Sequence, residues 1–249
     1  MGNRILLVTG GGRGIGAACC RRAAEAGYDV AVNYTRDALA AEMVAADVRK
    51  AGRRAVALQA DVADEGQVMR MFERIDTELG ALDALVNNAG IVDQTARLDQ
   101  MSGARLRRMF DTNILGSFLC AREALRRMSP RHGGRGGAIV NLSSAAARLG
   151  SPGQYVDYAA SKGAIDTFTL GLAREVAAEG VRVNAVRPGI IDTDIHASGG
   201  LPDRARELAP SVPMQRAGSA DEVAAAVLWL LSDAASYTTG TVIDVTGGR

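Results

Sequence analysis

Short apolar runs alternate with longer alanine-rich stretches along almost the whole of this 249-residue chain. The runs have the length and composition of buried β-strands, and the stretches between them have the composition of helices. Mostly apolar strands that are separated by helices form parallel sheets covered on both faces. The alternation therefore predicts an α/β fold with a doubly wound parallel sheet. The predicted strands are 4–9, 29–34, 54–60, 84–89, 138–143, 182–188 and 241–245.

We predict a single domain, 1–249, because no linker rich in proline or serine and no repeat divides the chain. One segment, 190–215, interrupts the alternation with paired glycines and three prolines. Long irregular connections in compact domains are often binding loops, so we predict a substrate lid there. The predicted helices are 14–26, 37–51, 64–79, 103–128, 155–179 and 220–232.

The composition argues against nucleic acid or a membrane as the partner. The formal net charge is +1, so no overall basic field attracts either polyanion. Aromatic residues make up 4% of the chain, too few for a surface that stacks single-stranded bases. Arginine clusters at 105–110 and 126–135 are typical of a solvated helix face or an oligomer rim. The composition therefore indicates neither nucleic acid nor a membrane surface as the partner.

Neither metal ligation nor export is indicated by the sequence. The two histidines, His132 and His196, are far apart, and the three cysteines lack the spacing of metal ligands. The first apolar run is too short for a signal peptide or a membrane-spanning helix. We therefore predict no metal site, buried reduced thiols and a cytoplasmic location.

A glycine-rich turn, "TGGGRGIG" (9–16), follows the first predicted strand and opens the first predicted helix. Glycines let the backbone turn tightly and approach a ligand without a Cβ clash. The helix that follows directs free N–H groups and the positive end of its dipole at a pyrophosphate. The turn lacks the Lys-Ser/Thr pair of a P-loop, so it favours a dinucleotide over a hydrolysed triphosphate. The residues predicted to bind the dinucleotide here are Gly10, Gly12, Arg13, Gly14, Ile15 and Gly16.

The end of the second predicted strand bears on which dinucleotide is bound. Folds that prefer NAD commonly place an acidic residue there, which holds the ribose 2′-hydroxyl. Here Thr35 and Arg36 occupy the tip, and Asp37 comes one position later. Arg36 and Arg13 together favour a 2′-phosphate, so NADP(H) is the predicted cofactor. The alternative is that Arg36 is solvated and Asp37 holds the ribose of NAD(H).

Seven separated motifs, taken together, resemble those of the short-chain dehydrogenases/reductases. The resemblance covers essentially the whole chain and implies a Rossmann-type fold. It also implies a homotetramer or homodimer, because helices 103–128 and 155–179 resemble those that form the family's subunit contacts. The motifs are "TGGGRGIG" (9–16), "DV" (61–62), "NNAG" (87–90), "NILG" (113–116), "NLSS" (141–144), "YAASK" (158–162) and "RPGIIDT" (187–193).

The resemblance assigns residues to the cofactor and to catalysis. It implies a catalytic set of Asn113, Ser144, Tyr158 and Lys162, in which Asn113 positions a water and Lys162 also holds the nicotinamide ribose. Ser143 remains the alternative because the two serines are adjacent and the family's usual spacing to Tyr158 is one residue shorter than even Ser144 gives. Ser144 is the nearer match to that spacing. The further residues implied to contact the cofactor are Asp61, Val62, Asn88, Ala89, Gly90, Pro188, Gly189, Ile191 and Thr193.

Tyr158 and Lys162 suit proton transfer to a carbonyl oxygen. When a hydride reaches a carbonyl carbon, negative charge remains on the carbonyl oxygen, which must then take up a proton. Tyrosine, with a pKa of ~10, is a good acid for that proton transfer. Lys162 lies one helical turn from Tyr158, so its ammonium, with an oxidised nicotinamide, is expected to lower the tyrosine pKa. Ser144 is expected to polarise the substrate oxygen.

The sequence thus predicts an enzyme that transfers a hydride between NADP(H) and a ketone or secondary alcohol, with Tyr158 as general acid/base. Gln154 and Tyr155, just before Tyr158, are predicted to contact the substrate along with Ser144. Two alternatives remain at this point. One is an epimerase on the same fold, and the other is a non-catalytic dinucleotide-sensing protein.

Overall fold

The computed structural model describes residues 4–193, 199–201 and 203–249. In this part of the chain seven parallel strands form one sheet, in the order β3-β2-β1-β4-β5-β6-β7. The predicted sheet and its strands are confirmed, with ends that shift by one or two residues. The strands are β1 (Arg4–Val8), β2 (Tyr28–Tyr34), β3 (Ala55–Gln59), β4 (Ala84–Asn87), β5 (Gly137–Leu142), β6 (Val181–Pro188) and β7 (Val242–Val245).

Both faces of the sheet are covered, which is why its central strands are apolar on both sides. Alternate residues of β1 belong to two different cores: Leu6 and Val8 pack into one, and Ile5 and Leu7 pack into the other. All four side chains are at most 4% exposed. A strand buried on both faces cannot alternate apolar with polar residues, which explains its continuous apolar sequence.

The helices follow the predicted positions, with one exception. The predicted helix 103–128 is interrupted by a π-helical turn at Asp111–Leu115, so it is two helices rather than one. Two short helices, Ala146–Leu149 and Arg204–Leu208, were not predicted. The helices are α1 (Gly14–Glu25), α2 (Ala38–Lys50), α3 (Glu65–Glu78), α4 (Gly103–Phe110), α5 (Gly116–Met128), α6 (Ala146–Leu149), α7 (Val156–Val176), α8 (Arg204–Leu208) and α9 (Ala220–Leu231).

The strand order places a crevice at the carboxyl ends of the central strands. From β1 the chain winds outward to β2 and β3, then returns to β4 on the other side of β1. Ligands of open α/β sheets bind at such a switch point, beyond the carboxyl ends of the strands. Within the predicted lid, 190–215, Ile190, Ile191, Thr193 and Arg204 border this edge. Residues 194–198 and 202 lie outside the described residues. The lid therefore stays a prediction.

Within the described ranges, no helix combines the length and the hydropathy needed to cross a membrane. The most apolar of the helices, α9, is 12 residues long. A bilayer-spanning helix needs about 20 residues.

Candidate active site

The glycine-rich turn joins β1 to α1 in a backbone shape that glycine alone adopts easily. Gly10 and Gly14 have positive φ angles of 61° and 53°. Helix α1 begins at Gly14, and the N-cap residue Arg13 has no side-chain acceptor for the first-turn N–H groups. These donors, at the positive end of a helix, form a ready anion site. The turn therefore fits the pyrophosphate of a dinucleotide.

Asn88, which follows β4, holds the turn in place. Its Nδ2 donates to the carbonyl oxygens of Thr9, at 2.8 Å, and of Gly10, at 3.0 Å. The close approach depends on Gly16, because a Cβ there would lie 2.4 Å from Gly10 O and 2.6 Å from Asn88 Nδ2. The backbone N–H of Ala89 also donates to the Thr9 hydroxyl, at 3.0 Å. The cofactor contacts predicted for Asn88 and Ala89 are thus accompanied by a structural role.

The end of β2 is joined to the same turn. The Gly10 N–H donates to Asn33 Oδ1 at 3.1 Å. Asp37 is the N-cap of α2, and its Oδ1 accepts from the Ala40 N–H at 2.9 Å. The cap uses one of the two carboxylate oxygens of Asp37, the residue that the NAD(H) alternative assigns to the ribose. Thr35 and Arg36 are exposed at the tip.

Asp61 and Val62 follow β3 and shape its end. Asp61 Oδ1 accepts from the Ala63 N–H at 3.0 Å, and its own N–H donates to Gln67 Oε1 at 2.9 Å. Val62 is 3% exposed and packs on Gly116, where a Cβ would lie 2.6 Å from Val62 Cγ2. Both residues therefore stand at the predicted sheet edge, and Val62 is mostly enclosed by protein.

Helix α7 carries Tyr158 and Lys162 on one face, one turn apart. The Lys162 Nζ lies 5.7 Å from the centroid of the Tyr158 ring. It donates to the carbonyl oxygen of Leu142, at the end of β5, at 2.7 Å. The Lys162 side chain is thereby fixed between α7 and the sheet, which orients its ammonium toward the crevice end of β5.

Burial shifts the pKa values of Tyr158 and Lys162 in the directions that favour the neutral form of each side chain. It raises the pKa of the Tyr158 phenol, and a hydrogen bond from the Ser144 hydroxyl opposes this rise. It lowers the pKa of Lys162 to about 8, and the charge of Asp166 opposes this fall. The lowered tyrosine pKa expected from the sequence is therefore not produced by the protein's own groups. That expectation also included the positive charge of an oxidised nicotinamide.

The two adjacent serines differ in what they contact. Ser144 is half-buried and its hydroxyl bonds to Tyr158. Ser143 is 3% exposed, and its Oγ donates to the Lys162 carbonyl oxygen at 3.2 Å. The Ser144 hydroxyl therefore lies beside the Tyr158 phenol, whereas Ser143 joins β5 to α7.

Asn113 lies in the π-helical turn between α4 and α5, and its side chain is bonded within the protein. Its Oδ1 accepts from the Ile91 N–H at 2.8 Å, and its Nδ2 donates to Ser161 Oγ at 3.1 Å. A Cβ on Gly90 would lie 3.4 Å from Asn113 Oδ1 and 3.5 Å from Lys162 Nζ. The extra residue of a π turn brings Asn113 inward to this position beside Lys162.

Several of these residues surround one cavity at the carboxyl edge of the sheet, whereas Asn113 is not part of its described lining. Tyr155, which is 6% exposed, contributes to its wall, whereas Gln154 is exposed and outside the lining. Of the predicted residues, the described lining contains Ile15, Asn88, Gly90, Ser143, Ser144, Tyr155, Tyr158, Lys162, Pro188, Gly189, Ile191 and Thr193. The predicted cofactor residues outside this lining are Gly10, Gly12, Arg13, Gly14, Gly16, Thr35, Arg36, Asp61, Val62 and Ala89.

A buried ion pair at the start of α7 was not predicted from the sequence. Asp157 is 3% exposed, and its carboxylate accepts from Arg105 Nε at 2.8 Å and from the Tyr158 N–H at 2.9 Å. Arg105 also donates to the carbonyl oxygen of Gln94 at 2.7 Å. The pair joins α4, α7 and the loop after β4, so it positions Tyr158. Its members are 52 residues apart, and no local pattern connects them.

Comparison with known proteins assigns the family. Residues 10–249 match a family model described as enoyl-(acyl carrier protein) reductase. The fold superposes with a TM-score of 0.90 on a short-chain dehydrogenase from Burkholderia cenocepacia, solved in complex with NADP. That protein is 35% identical, and the match covers 99% of this chain and 98% of that one. This chain belongs to the short-chain dehydrogenase/reductase family.

Relatives of this short-chain dehydrogenase/reductase are named as oxidoreductases. The chain is 56% identical over 245 residues to oxidoreductase YgfF of Escherichia coli, covering 98% of this chain and 99% of that one. It is 40% identical to 3-oxoacyl-[acyl-carrier-protein] reductase FabG of Staphylococcus aureus, over 97% and 96% of the two chains. It is 41% identical to cis-4-hydroxycyclohexanecarboxylate dehydrogenase of Sinomonas cyclohexanicum, over 98% and 96%. The chain is thus an enzyme, an oxidoreductase of this family.

Proposed function

We propose that this enzyme transfers a hydride between NADP(H) and a ketone or secondary alcohol, with Tyr158 as the proton donor and acceptor. The observation that carries the proposal is the position of Tyr158. Its phenol shares a cavity with Lys162, bonds to the Ser144 hydroxyl and lies beside a glycine-rich dinucleotide turn. The named substrates of two relatives, a 3-oxoacyl group and a hydroxycyclohexane ring, also carry a ketone or a secondary alcohol.

Each side chain has a distinct task in this mechanism. The cofactor, when bound, supplies or accepts the hydride. Ser144 hydrogen-bonds to the substrate oxygen, where negative charge develops, and Tyr158 gives that oxygen its proton. Lys162 holds positive charge near the phenolate that remains, and its bond to Leu142 O fixes its place. The raised pKa of Tyr158 keeps the phenol protonated at neutral pH, which suits reduction.

Asn113 would act through the residues around it. Its bonds to Ile91 and Ser161 hold the loop after β4 and the α7 residue Ser161 beside Lys162. The Ser161 hydroxyl in turn donates to the Tyr158 carbonyl oxygen at 2.7 Å. We therefore infer a positioning role for Asn113, in addition to the predicted water that joins Lys162 to solvent.

A panel of ketones and secondary alcohols, with NADPH or NADP⁺ absorbance as the readout, tests the proposal. Turnover of a member, with the matching alcohol or ketone as product, supports it. Tight cofactor binding without turnover of any member would favour the dinucleotide-sensing alternative. Inversion of a stereocentre without net cofactor consumption would favour the epimerase alternative.

The preference for NADP(H) over NAD(H) rests on Arg36. It is exposed beside the dinucleotide turn, while the neighbouring Asp37 carboxylate caps α2. A guanidinium hydrogen-bonded to a phosphate contributes about 1.5–3 kcal/mol, or roughly 10- to 150-fold in affinity. We expect Arg36→Ala to raise the Kd of NADPH by that factor and to change the Kd of NADH less than about threefold, as measured by fluorescence titration.

Arg74→Ala is the matched control for this variant. Arg74 is also exposed, but it pairs with Glu78 on α3, away from the turn. Its loss should leave the affinity for both dinucleotides unchanged. Equal losses of NADPH and NADH affinity in Arg36→Ala would mean that Arg36 does not contact the 2′-phosphate.

The subunit contact is proposed on the same helices as in the sequence prediction. Apolar side chains stay exposed there: Leu115 and Phe118 are each 44% exposed and Leu170 is 41% exposed. Phe118 of α5 stacks on Phe168 of α7 with ring centroids 3.8 Å apart, so the two helices present one apolar face. We propose that this face forms the contact of a homodimer or homotetramer.

Sedimentation equilibrium should give a mass in solution of two or four times the 26.0 kDa of one chain, and Phe118→Lys should lower that mass. A monomeric wild-type protein would contradict the proposal.

A further inference from the structure

The wall of the active-site cavity carries an uneven set of charges. Its described lining contains three basic residues, Lys162, Arg204 and Arg249, and no aspartate or glutamate. The whole chain has a net charge of only +1, so this excess is local to the cavity. The proposed mechanism uses Lys162 and leaves the two arginines without a task. A concave surface lined by one sign of charge is complementary to a ligand of the opposite sign.

Arg204 is held in the cavity wall by uncharged groups. It is half-buried at the start of α8. Its guanidinium carbon lies 5.2 Å from the centroid of the Tyr155 ring. Its Nη2 donates to Gln154 Oε1 at 2.6 Å. Both contacts orient the guanidinium, and neither neutralises it.

Other arginines near this edge have carboxylate partners. Arg148 pairs with Asp244 at 2.7 Å, and Arg216 pairs with Glu222 at 2.6 Å. In contrast, no carboxylate in 4–193, 199–201 or 203–249 forms an ion pair with Arg204. A partly desolvated guanidinium that is oriented but not paired is suited to bind an anion, since a planar guanidinium matches the two oxygens of a carboxylate.

The position of Arg204 places this anion on the substrate rather than on the cofactor. Arg204 lies against Tyr155, the residue just before α7, and Gln154 O accepts from the Ala96 N–H in the loop after β4 at 3.0 Å. The proposed pyrophosphate site is the turn between β1 and α1, and the proposed 2′-phosphate site is at the end of β2. Neither of these two phosphate sites lies on the elements that form the Tyr155 side of the cavity.

We propose that Arg204 binds a carboxylate of the substrate, so that the enzyme acts on oxo acids and hydroxy acids. The inference rests on the proposed function where it names the reacting group, a ketone or a secondary alcohol. The binding of the carboxylate to Arg204 does not depend on it. The carbonyl or alcohol carbon of such a substrate is held at Tyr158 and Ser144, while its carboxylate lies against Arg204 beside Tyr155. Arg204 is then a specificity-determining residue.

Matched acids and methyl esters test this assignment by binding alone. Cyclohexanecarboxylate, hexanoate and 4-oxocyclohexanecarboxylate are titrated by calorimetry, each against its methyl ester, into the free enzyme and the enzyme saturated with NADP⁺. We expect the wild type to bind at least one acid about tenfold or more tighter than its ester, as for a charge-assisted hydrogen bond. Arg204→Gln should remove that preference, and Arg204→Lys should restore part of it.

Arg206→Gln is the control, because Arg206 is exposed on the same short helix and pairs with Asp203 at 2.9 Å. It should keep the preference for the acid. If no acid binds better than its ester, or if Arg204→Gln keeps the preference, the proposal is wrong. Failure of the proposed function would differ, because the acid preference would persist while no ketone was reduced.

Discussion

Tyr158→Phe should lower kcat by roughly 10²- to 10⁴-fold, the usual contribution of a positioned general acid or base. The phenol is the group in the cavity that contacts the Ser144 hydroxyl and lies near the Lys162 ammonium. Phenylalanine keeps the ring and the packing but has no proton to give. Because the ring is retained, the Kd of the cofactor should change less than about threefold. Steady-state kinetics and cofactor titration measure the two quantities.

Tyr155→Phe is the matched control for this result. Tyr155 lies three residues earlier, contributes to the same cavity and is 6% exposed. Its ring supports the Arg204 guanidinium, and phenylalanine keeps that face. Its kcat should stay within the same order of magnitude as that of the wild type. Loss of turnover in Tyr155→Phe with turnover retained in Tyr158→Phe would reverse the assignment of the two tyrosines.

Gly16→Ala should damage the dinucleotide turn. The added Cβ would lie 2.4 Å from Gly10 O and 2.6 Å from Asn88 Nδ2, closer than real Cβ contacts allow. The Gly10 carbonyl belongs to the backbone, so the turn itself must move. Overpacking of this kind costs about 1–3 kcal/mol of unfolding free energy. A displaced cofactor should lower kcat/KM by about 10²-fold or more, since misplacement by about 1 Å has effects of that size.

Gly171→Ala separates this steric effect from the general effect of replacing a glycine. Gly171 lies within α7, and a Cβ there meets nothing within 4 Å in the same subunit. Because Gly171 adjoins Leu170 of the proposed subunit contact, its variant is a valid control only if sedimentation equilibrium gives the wild-type mass. Alanine in an open helical position should stabilise the protein by about 0.5–1 kcal/mol. Urea denaturation and dinucleotide titration compare the two variants. A Gly16→Ala enzyme with unchanged cofactor affinity would contradict the assignment of the turn.

Periodicity and composition were sufficient to predict the sheet. Strands buried on both faces must be continuously apolar, as in β1, where each alternate residue enters a different core. Helix α7 was equally predictable from composition, because its 21 residues include four alanines and no proline. Both features depend on local sequence, which is why the residues alone indicate them.

The π-helical turn at Asp111–Leu115 was not predictable in the same way. Its sequence, "DTNIL", continues the helical composition on both sides, and the irregularity is stabilised by distant groups. Asn113 reaches Ile91 and Ser161, which lie 22 and 48 residues away. A backbone defect that is stabilised by tertiary hydrogen bonds leaves no periodic signal in the sequence.

Contacts between site residues that are far apart in the chain could not be predicted from the sequence either. Tyr158 and Lys162 share a helix face, so their spacing of four residues is informative. Arg204 meets Tyr155 across 49 positions of chain, and Arg105 meets Asp157 across 52. The separate contacts of Ser143 and Ser144 likewise follow from the way β5 ends against α7, which spacing alone does not resolve.

Transfer of deuterium from labelled cofactor to product tests hydride transfer most directly. NADPH that carries deuterium at C4 of the nicotinamide, prepared separately with the label on each face, is incubated with enzyme and a ketone that is turned over. We expect one of the two labelled cofactors to deliver a single deuterium to the carbinol carbon of the alcohol, as seen by mass spectrometry. An alcohol product without deuterium from either cofactor would contradict direct hydride transfer by this enzyme.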